Sequence, residues 1–521
     1  MISRILTVGG FTLVSRVTGF LRDIVLAALL GAGPVADAFF VALRLPNHFR
    51  AIFAEGAFNA AFVPAYARVR TQGGADPAKL FADRIFTLLL ASQIVLLAIA
   101  LVFTPEVIAL LAPGFSKDPG RYALAVELTR ITFPYLLLVT MVTLYSGILN
   151  ALQRFASAAA APILLNLSMM AALLLAAFFP TAGHAAAWGV LAAGVLEALL
   201  VAADVSRQGA LPTLRWPRLD DDVKRFFKAL GPATLGSAGT QIAIFADTII
   251  ASFLAAGALS ALYYADRLYQ LPIGVIGIAV GTVLLPEMAN RLAGGDEAGA
   301  QDAQNRAVEL TLLLSLPCVV AFLFVPELIM LALFARGAFT AADAAASGAT
   351  LLAYSVGLLP VVLLRCASAT FLARGDTTTP MKALFAAVAV NVAFKVVLMG
   401  PLAQVGLALA TSIGVWVNFG MLLWLAMRSR LFVVDERLRH SAGRLIIAGL
   451  ALGAAILLAK YLFEAVWPAP STGRALVELA VLAAIGVAVY GGLVALLLGR
   501  RWLLAFARGG GAAKPPASLP E

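Results

Sequence analysis

The chain has 521 residues, 62% of them hydrophobic and only 13% charged. Its mean hydropathy of +0.95 excludes an ordinary soluble domain, in which about 25% of residues are charged. The net charge of +10 does not read as a nucleic-acid footprint, because the basic residues concentrate in alternate short loops between apolar runs, as in a polytopic membrane protein.

Those apolar runs predict about fourteen transmembrane helices, at 5–30, 36–65, 82–104, 122–150, 159–180, 185–206, 229–254, 260–290, 306–326, 344–373, 380–400, 404–428, 442–464 and 475–499. The gaps between them are too short to fold as soluble domains. The first run carries Arg16, Arg22 and Asp23 and continues to about Leu30, unlike the short core of a cleavable signal. Loops after even-numbered spans are basic, with Arg68, Arg70, Lys79 and Arg84 after the second. Arg207, Arg215, Arg218, Lys224, Arg225 and Lys228 follow the sixth. The opposite loops show only Lys117, Arg121, Arg336 and Arg474, so both termini are predicted to be cytoplasmic. Asp220-Asp221-Asp222 precedes residues 223–230 and reads as the cap of a short interfacial helix rather than a metal triad. Cys318 and Cys366 both fall in apolar segments, which argues against a disulfide framework or metal site. The tail from Gly509 to Glu521 is rich in Gly, Ala and Pro and reads as disordered.

The two halves echo each other. Gly31-Ala-Gly-Pro-Val-Ala-Asp-Ala-Phe-Phe parallels Ala255-Ala-Gly-Ala-Leu-Ser-Ala-Leu-Tyr-Tyr, and Ala61-Phe-Val-Pro parallels Val283-Leu-Leu-Pro. Arg154 and Pro162 are matched by Arg374 and Pro380. Six spans per repeat make the halves parallel in topology, as in transporters whose site lies at a repeat interface. The predicted organisation is an all-α membrane protein with an N-terminal lobe (1–207) and a cytoplasmic linker carrying the interfacial helix (208–228). A C-terminal lobe (229–429), two extra helices (430–500) and a basic tail (501–521) complete it.

Four arginines, Arg16, Arg22, Arg50 and Arg267, lie inside apolar spans. Each costs at least about 2.5–3.5 kcal/mol at the bilayer centre, so each needs a watery cavity or a negative partner. Arg16 and Arg22 are separated by about 9 Å along one helix and about 120° around it. Arg44, Asn47, Glu55 and Asp37 accompany Arg50 in the second span, and Asp266 precedes Arg267 in the eighth. Internal pairing, Arg22 with Asp23 or Asp37 and Arg267 with Asp266, is the structural reading of these residues. The surplus of guanidinium over carboxylate favours an oligoanionic substrate, since the planar fork of arginine grips phosphate bidentately.

Several segments carry a resemblance. Ser15-Arg-Val-x-Gly-Phe-x-Arg-Asp, Gly31-Ala-Gly-x-x-x-Asp-Ala-Phe-Phe-Val-Ala, Leu45-Pro-Asn and Phe53-Ala-Glu-Gly-Ala-Phe resemble the MurJ (MviN) family, as do Ala112-Pro-Gly-Phe, Thr132-Phe-Pro-Tyr and Tyr263-Tyr-Ala-Asp-Arg-Leu. This family of lipid II flippases belongs to the MOP exporter superfamily. The resemblance implies fourteen helices in two six-helix lobes around a cationic cavity, with the two extra helices forming a groove for the lipid tail. It implies lipid II as substrate, a bacterial inner membrane, peptidoglycan synthesis machinery as company, and no bond chemistry. By resemblance, Arg16, Arg22 and Arg50 hold the pyrophosphate and Arg267 supports them. Asp23, Asp37, Arg44, Asn47, Glu55 and Asp266 are supporting polar positions. A carboxylate common one turn after Arg267 is Gln270 in this chain.

Some family members resemble this chain in a second region, where they carry a sodium site. In this sequence the region holds Asp247, Asn391, Lys395 and Thr411. Lys395 stands where a carboxylate is expected, which argues against sodium and predicts a Lys395–Asp247 pair acting as a tethered cation. No cofactor is expected, and coupling falls to a monovalent cation or the membrane potential. Competing readings stay open: an oligosaccharide-lipid flippase or MATE-type antiporter, a membrane glycosyltransferase or phosphatase of the same pathway, or a scaffold. A drug antiporter favours acidic residues and about twelve spans. Catalysis lacks an obvious centre, because His48, His184 and His440 are scattered.

Overall fold

The structure is a computed structural model that describes residues 2–53, 56–216, 218–467, 472–499 and 502. Hydrocarbon offers no partner for backbone polar groups, so apolar runs of this length must close their hydrogen bonds internally as helices. Among the described residues all regular structure is helical. In chain order the α-helices are α1 (Ile2–Leu30), α2 (Pro34–Phe53), α3 (Gly56–Gly73), α4 (Ala75–Val102), α5 (Thr104–Leu111), α6 (Pro119–Thr132), α7 (Tyr135–Ala151), α8 (Ala156–Leu174) and α9 (Ala182–Arg207). They continue as α10 (Asp221–Ser252), α11 (Ala258–Ala293), α12 (Glu297–Phe324), α13 (Pro326–Phe334), α14 (Ala341–Ser355), α15 (Leu358–Leu372), α16 (Thr378–Arg428), α17 (Glu436–Val466) and α18 (Thr472–Leu498).

Among the described residues each of the fourteen predicted segments overlaps helix, but length and apolarity alone single out ten membrane-spanning candidates there. Several predicted spans are composite. The fourth is α6 followed by α7, broken at Phe133-Pro134, and the tenth is α14 followed by α15, broken at Val356-Gly357. Conversely, the eleventh and twelfth run together as α16. A helix of 51 residues would reach about 76 Å, far more than the roughly 30 Å of hydrocarbon. Pro401 and the non-helical Ala403 (φ 46°, ψ −128°) break it in the middle. Its halves then fold back on each other: a Cβ on Gly414 would lie 2.8 Å from Cβ of Asn391, and Gly406 abuts the Leu398 carbonyl.

The expected interfacial helix is not a separate element. Residues 223–230 form the first turns of α10, which runs on without interruption to Ser252. The aspartates do cap it: the Asp220 carboxylate accepts the Val223 amide at 2.9 Å. Asp220 also pairs with Arg84, and Asp222 with Arg68 at 3.2 Å, so the acidic cluster ties α10 to α3 and α4. Asp220→Ala removes the cap and one of these pairs, and about 1–2 kcal/mol of stability should go with them. Thermal unfolding of the purified protein should show the loss, whereas an unchanged midpoint would remove Asp220 from the account.

The chain divides into two compact units. One contains residues 1–264 and 334–343, the other 265–333 and 344–521. The second unit carries its own polar anchor. Arg306 on α12 pairs with the fully buried Glu309 at 2.7 Å, with Asp302 at 3.3 Å and with Asp435, while Arg437 reaches Glu309 at 3.4 Å. Asp435 caps α17 through the Leu438 amide at 2.6 Å. The start of α17 is thereby fastened to α12. The tail segment 503–521, expected to be disordered, lies outside the described residues.

Candidate functional site

Helix α1 brings Arg22 and Asp23 into the interior of the first unit, where they are 9% and 3% exposed. The Arg22 guanidinium donates to Asp23 Oδ1 through Nε at 3.1 Å and Nη2 at 2.7 Å. Its Nη1 donates to Asn166 Oδ1 on α8 at 3.0 Å. Asn166 is held in turn, since its Nδ2 donates to the Ser15 carbonyl at 3.0 Å and to Thr18 Oγ1 at 3.1 Å. Gly19 leaves room for that amide, with an ideal Cβ only 3.4 Å from Asn166 Nδ2. The Tyr263 hydroxyl, 3.3 Å away, also donates to Asp23 Oδ1, and the Tyr263 ring stacks on Phe40 at 3.8 Å. The internal pairing of Arg22 with Asp23 is therefore present, and Asp37 is not the partner. Nothing in the sequence marked Asn166, an isolated amide 144 residues away on another helix.

Asp37 forms a different cluster. It is fully buried and accepts the Gly257 amide at 2.8 Å, the Ser260 amide at 2.9 Å and the Ser260 hydroxyl at 2.5 Å. These are the unsatisfied donors at the start of α11, so the Asp37 carboxylate caps that helix from another element. Arg121 adds an ion pair at 3.3 Å, with its guanidinium 4.1 Å from the centre of the Phe115 ring. Arg121 reads in the sequence as a loop charge, and only the fold shows it buried. Both loops need glycine where backbones approach closely: Gly257 sits at φ +89° with an ideal Cβ 2.7 Å from the Ala32 carbonyl, and Gly31 at φ +67° with one 2.6 Å from the Ala338 carbonyl. A side chain at either position would meet both strain and collision.

The remaining expected positions are distributed. Arg16 is exposed on α1, and Arg44 on α2 donates to Thr248 Oγ1 at 3.0 Å. Asn47 is half-buried beside Pro46, whose ring interrupts the α2 ladder. Arg50 lies on α2, but its side chain is outside the described residues, as is the whole of Glu55. In the second unit Arg267 is half-buried on α11, and Asp266 accepts a hydrogen bond from Gln270. Gln270 thus engages the carboxylate one turn before it. Asp247 is half-buried in α10 of the first unit. In the second unit Lys395 is 2% exposed, Asn391 keeps a buried Oδ1 without a hydrogen-bond donor, and Thr411 donates to the Leu407 carbonyl at 3.0 Å.

The second unit also holds a cavity of about 690 Å³ lined by carbon, with Val275 of α11, Leu314 and Phe322 of α12, Leu452 of α17 and Leu482 of α18 among its walls. Tyr490, also on its wall, donates its hydroxyl to the Leu313 carbonyl at 2.9 Å. Chemically, the first unit offers a rigid buried guanidinium and the second an apolar slot of alkyl-chain character.

Comparison with known proteins adds the family. Residues 26–477 match the family model described as Lipid II flippase MurJ. The chain is 39% identical to a probable lipid II flippase MurJ of Rhizobium tropici over 96% of its length and 94% of that protein. It is 41% identical to a probable lipid II flippase MurJ of Rhizobium meliloti, covering 94% of this chain and 92% of the relative. Among solved structures it resembles a lipid II flippase MurJ in an inward closed conformation, with TM-score 0.79, 23% identity and coverage of 95% and 99% of the two chains. An inward-facing MATE-family multidrug transporter of the MOP superfamily follows with TM-score 0.67, 19% identity and coverage of 80% and 95%. Both structural likenesses speak to the fold.

Proposed function

Since the chain belongs to the MurJ family of lipid II flippases, we propose that it carries lipid II across the membrane by alternating access, with Arg22 as the anchor of the pyrophosphate. Lipid II is the substrate and the bilayer the medium. The observation that carries the assignment to Arg22 is its burial in a preassembled shell of Asp23 and Asn166. Asp23 serves as a resident counter-anion that offsets the buried charge and orients the guanidinium until the substrate's phosphates take over. Such a fork, fixed in advance, loses little freedom on binding. Arg16, Arg50 and Arg267 contribute further positive charge to the headgroup path, as the family motifs suggest. The carbon-lined slot beside α17 and α18 suits the polyprenyl tail, which never needs to leave an apolar environment.

No bond is made or broken in this cycle. Basic loops on alternate connections support cytoplasmic termini in the inner membrane, with capture on the cytoplasmic side and release outside. An inside-negative potential is worth about 2.3 kcal/mol per elementary charge per 100 mV, and it favours outward passage of the anionic headgroup. The buried ammonium of Lys395 supplies a fixed positive charge where other members are thought to bind sodium, so no sodium requirement is expected. In liposomes containing the purified protein, lipid II should reach the outer leaflet faster under an imposed inside-negative potential, and equally well in sodium and potassium salts. Failure to move lipid II under any condition would overturn the function, and a strict sodium requirement would overturn the role of Lys395.

The MATE-type reading is weaker. Its structural likeness is lower than that to the flippase, and a buried arginine is a poor host for a cationic drug.

A further inference from the structure

The connection between α9 and α10, within the first unit, is pinned rather than slack. Asp83 on α4, 2% exposed, accepts the Thr213 amide at 2.7 Å and the Thr213 hydroxyl at 3.2 Å. The Arg215 amide donates to Thr87 Oγ1 at 3.1 Å, and Asp220 pairs with Arg84 where α10 begins. Between these fastenings the chain presents three large apolar side chains outward: Leu214, Trp216 and Leu219 are 69%, 85% and 60% exposed. Arg215 and Arg218 lie among them and are exposed too. The level of this strip follows from α4. Beyond Arg84 that helix carries no charge through Val102, and residues 85–102 rise about 27 Å, close to the roughly 30 Å of hydrocarbon. Thr87 stands at the start of that run, about 3 Å along it. It also heads a stripe at helical spacing that continues through the exposed Ala91, Ile94, Ala98 and Val102. An exposed stripe of carbon on a membrane-spanning helix faces lipid. The strip is therefore tied to the lipid-facing side of α4, at the edge of its apolar run.

We propose that Leu214, Trp216 and Leu219 form an interfacial anchor, seated in the headgroup layer of the leaflet that is cytoplasmic in the orientation inferred above. A tryptophan joins an apolar ring to an N–H donor and settles where hydrocarbon meets headgroups. Arg215 and Arg218 suit the phosphates of anionic phospholipid, with their stems laid along the acyl chains. Lys224, Arg225 and Lys228 follow on the first turns of α10, so the charge around the strip complements an anionic leaflet. The carboxylates of Asp220 and Asp222 beside them are engaged by Arg84 and Arg68. The interfacial element expected at residues 223–230 is in this reading an extended strip ahead of α10. Because its backbone is already fastened to α4, the strip gives up little freedom on insertion. The connection between the two sequence repeats is thereby held at a fixed depth. This anchor is independent of the substrate and stands whether or not the chain carries lipid II.

Tryptophan emission of the full-length protein in nanodiscs tests the anchor. The chain has 6 tryptophans, so the spectrum of Trp216→Phe subtracted from that of the wild type isolates Trp216. Its emission should be blue-shifted from that of tryptophan in water. Phospholipid brominated near the acyl carbonyls should quench it more strongly than phospholipid brominated near the chain ends, and aqueous acrylamide should quench it weakly. Replacing phosphatidylcholine with phosphatidylglycerol should strengthen the shallow quenching, and Arg218→Gln should reduce that dependence on anionic lipid. Strong quenching by acrylamide with none by either brominated lipid overturns the anchor and makes the strip a surface for a soluble partner. Quenching that is strongest from the chain ends overturns the headgroup level. An unchanged lipid dependence in Arg218→Gln overturns the part given to that arginine. A second readout needs no subtraction. Leu219→Cys, in a chain that also carries Cys318→Ala and Cys366→Ala, is labelled with a polarity-sensitive fluorophore. Its emission should be that of a headgroup environment, and emission as in water overturns the anchor.

Discussion

Arg22→Ala is expected to bring lipid II translocation in liposomes down to the protein-free background. Two effects add in the same direction. The pyrophosphate loses a bidentate, charge-assisted contact, and hydrogen bonds to charged groups are worth roughly 1.5–3 kcal/mol each. That amounts to a drop of about a hundredfold or more in affinity. The second effect falls on the protein, because Asp23 is 3% exposed and loses the guanidinium that bonds its Oδ1 at 3.1 and 2.7 Å. Breaking a buried pair by removing one partner typically costs about 3–5 kcal/mol. Arg22→Lys separates the two contributions. A lysine preserves the charge beside Asp23 and most of the stability, but it cannot bond Asp23 and Asn166 and present a planar fork together. It should therefore fold and still transport poorly. Transport at the wild-type rate by Arg22→Lys would show that charge alone suffices, and transport by Arg22→Ala would remove Arg22 from the substrate path.

The second large effect is expected at Asp37. Asp37→Ala deletes the acceptor for three hydrogen bonds at the start of α11 and the partner of Arg121. Arg121 is 7% exposed, so its buried guanidinium is left with the more distant Asp118 carboxylate, 3.9 Å away. A loss of about 3–5 kcal/mol is expected, seen as a lower thermal midpoint and weaker expression in the membrane. Asp37→Asn is milder, because the amide oxygen still accepts from a backbone N–H while the ion pair is lost. If Asp37→Ala melted with the wild type, the cap on α11 would not contribute to stability. Expected as a supporting polar position, this residue is held as a fastening between α2 and the start of α11.

These two residues mark the line between what could be read and what could not. Membrane helices satisfy their hydrogen bonds within themselves, so hydropathy and turn residues, which are local properties, determined the all-helical membrane fold, with ten helices long and apolar enough to span among the described residues. They also determined the echo between halves: Gly33 and Gly257 each stand directly before a helix, α2 and α11, and the broken helix pairs α6–α7 and α14–α15 recur in the same order. The motif around Arg16 and Arg22 carried the family. The sequence even held the pair Arg22–Asp23, because adjacent residues need no fold to meet. Tertiary structure alone decided the rest. Asn166, Arg121 and Ser260 reach their partners across 144, 84 and 223 residues, and no local pattern encodes which buried charge meets which donor.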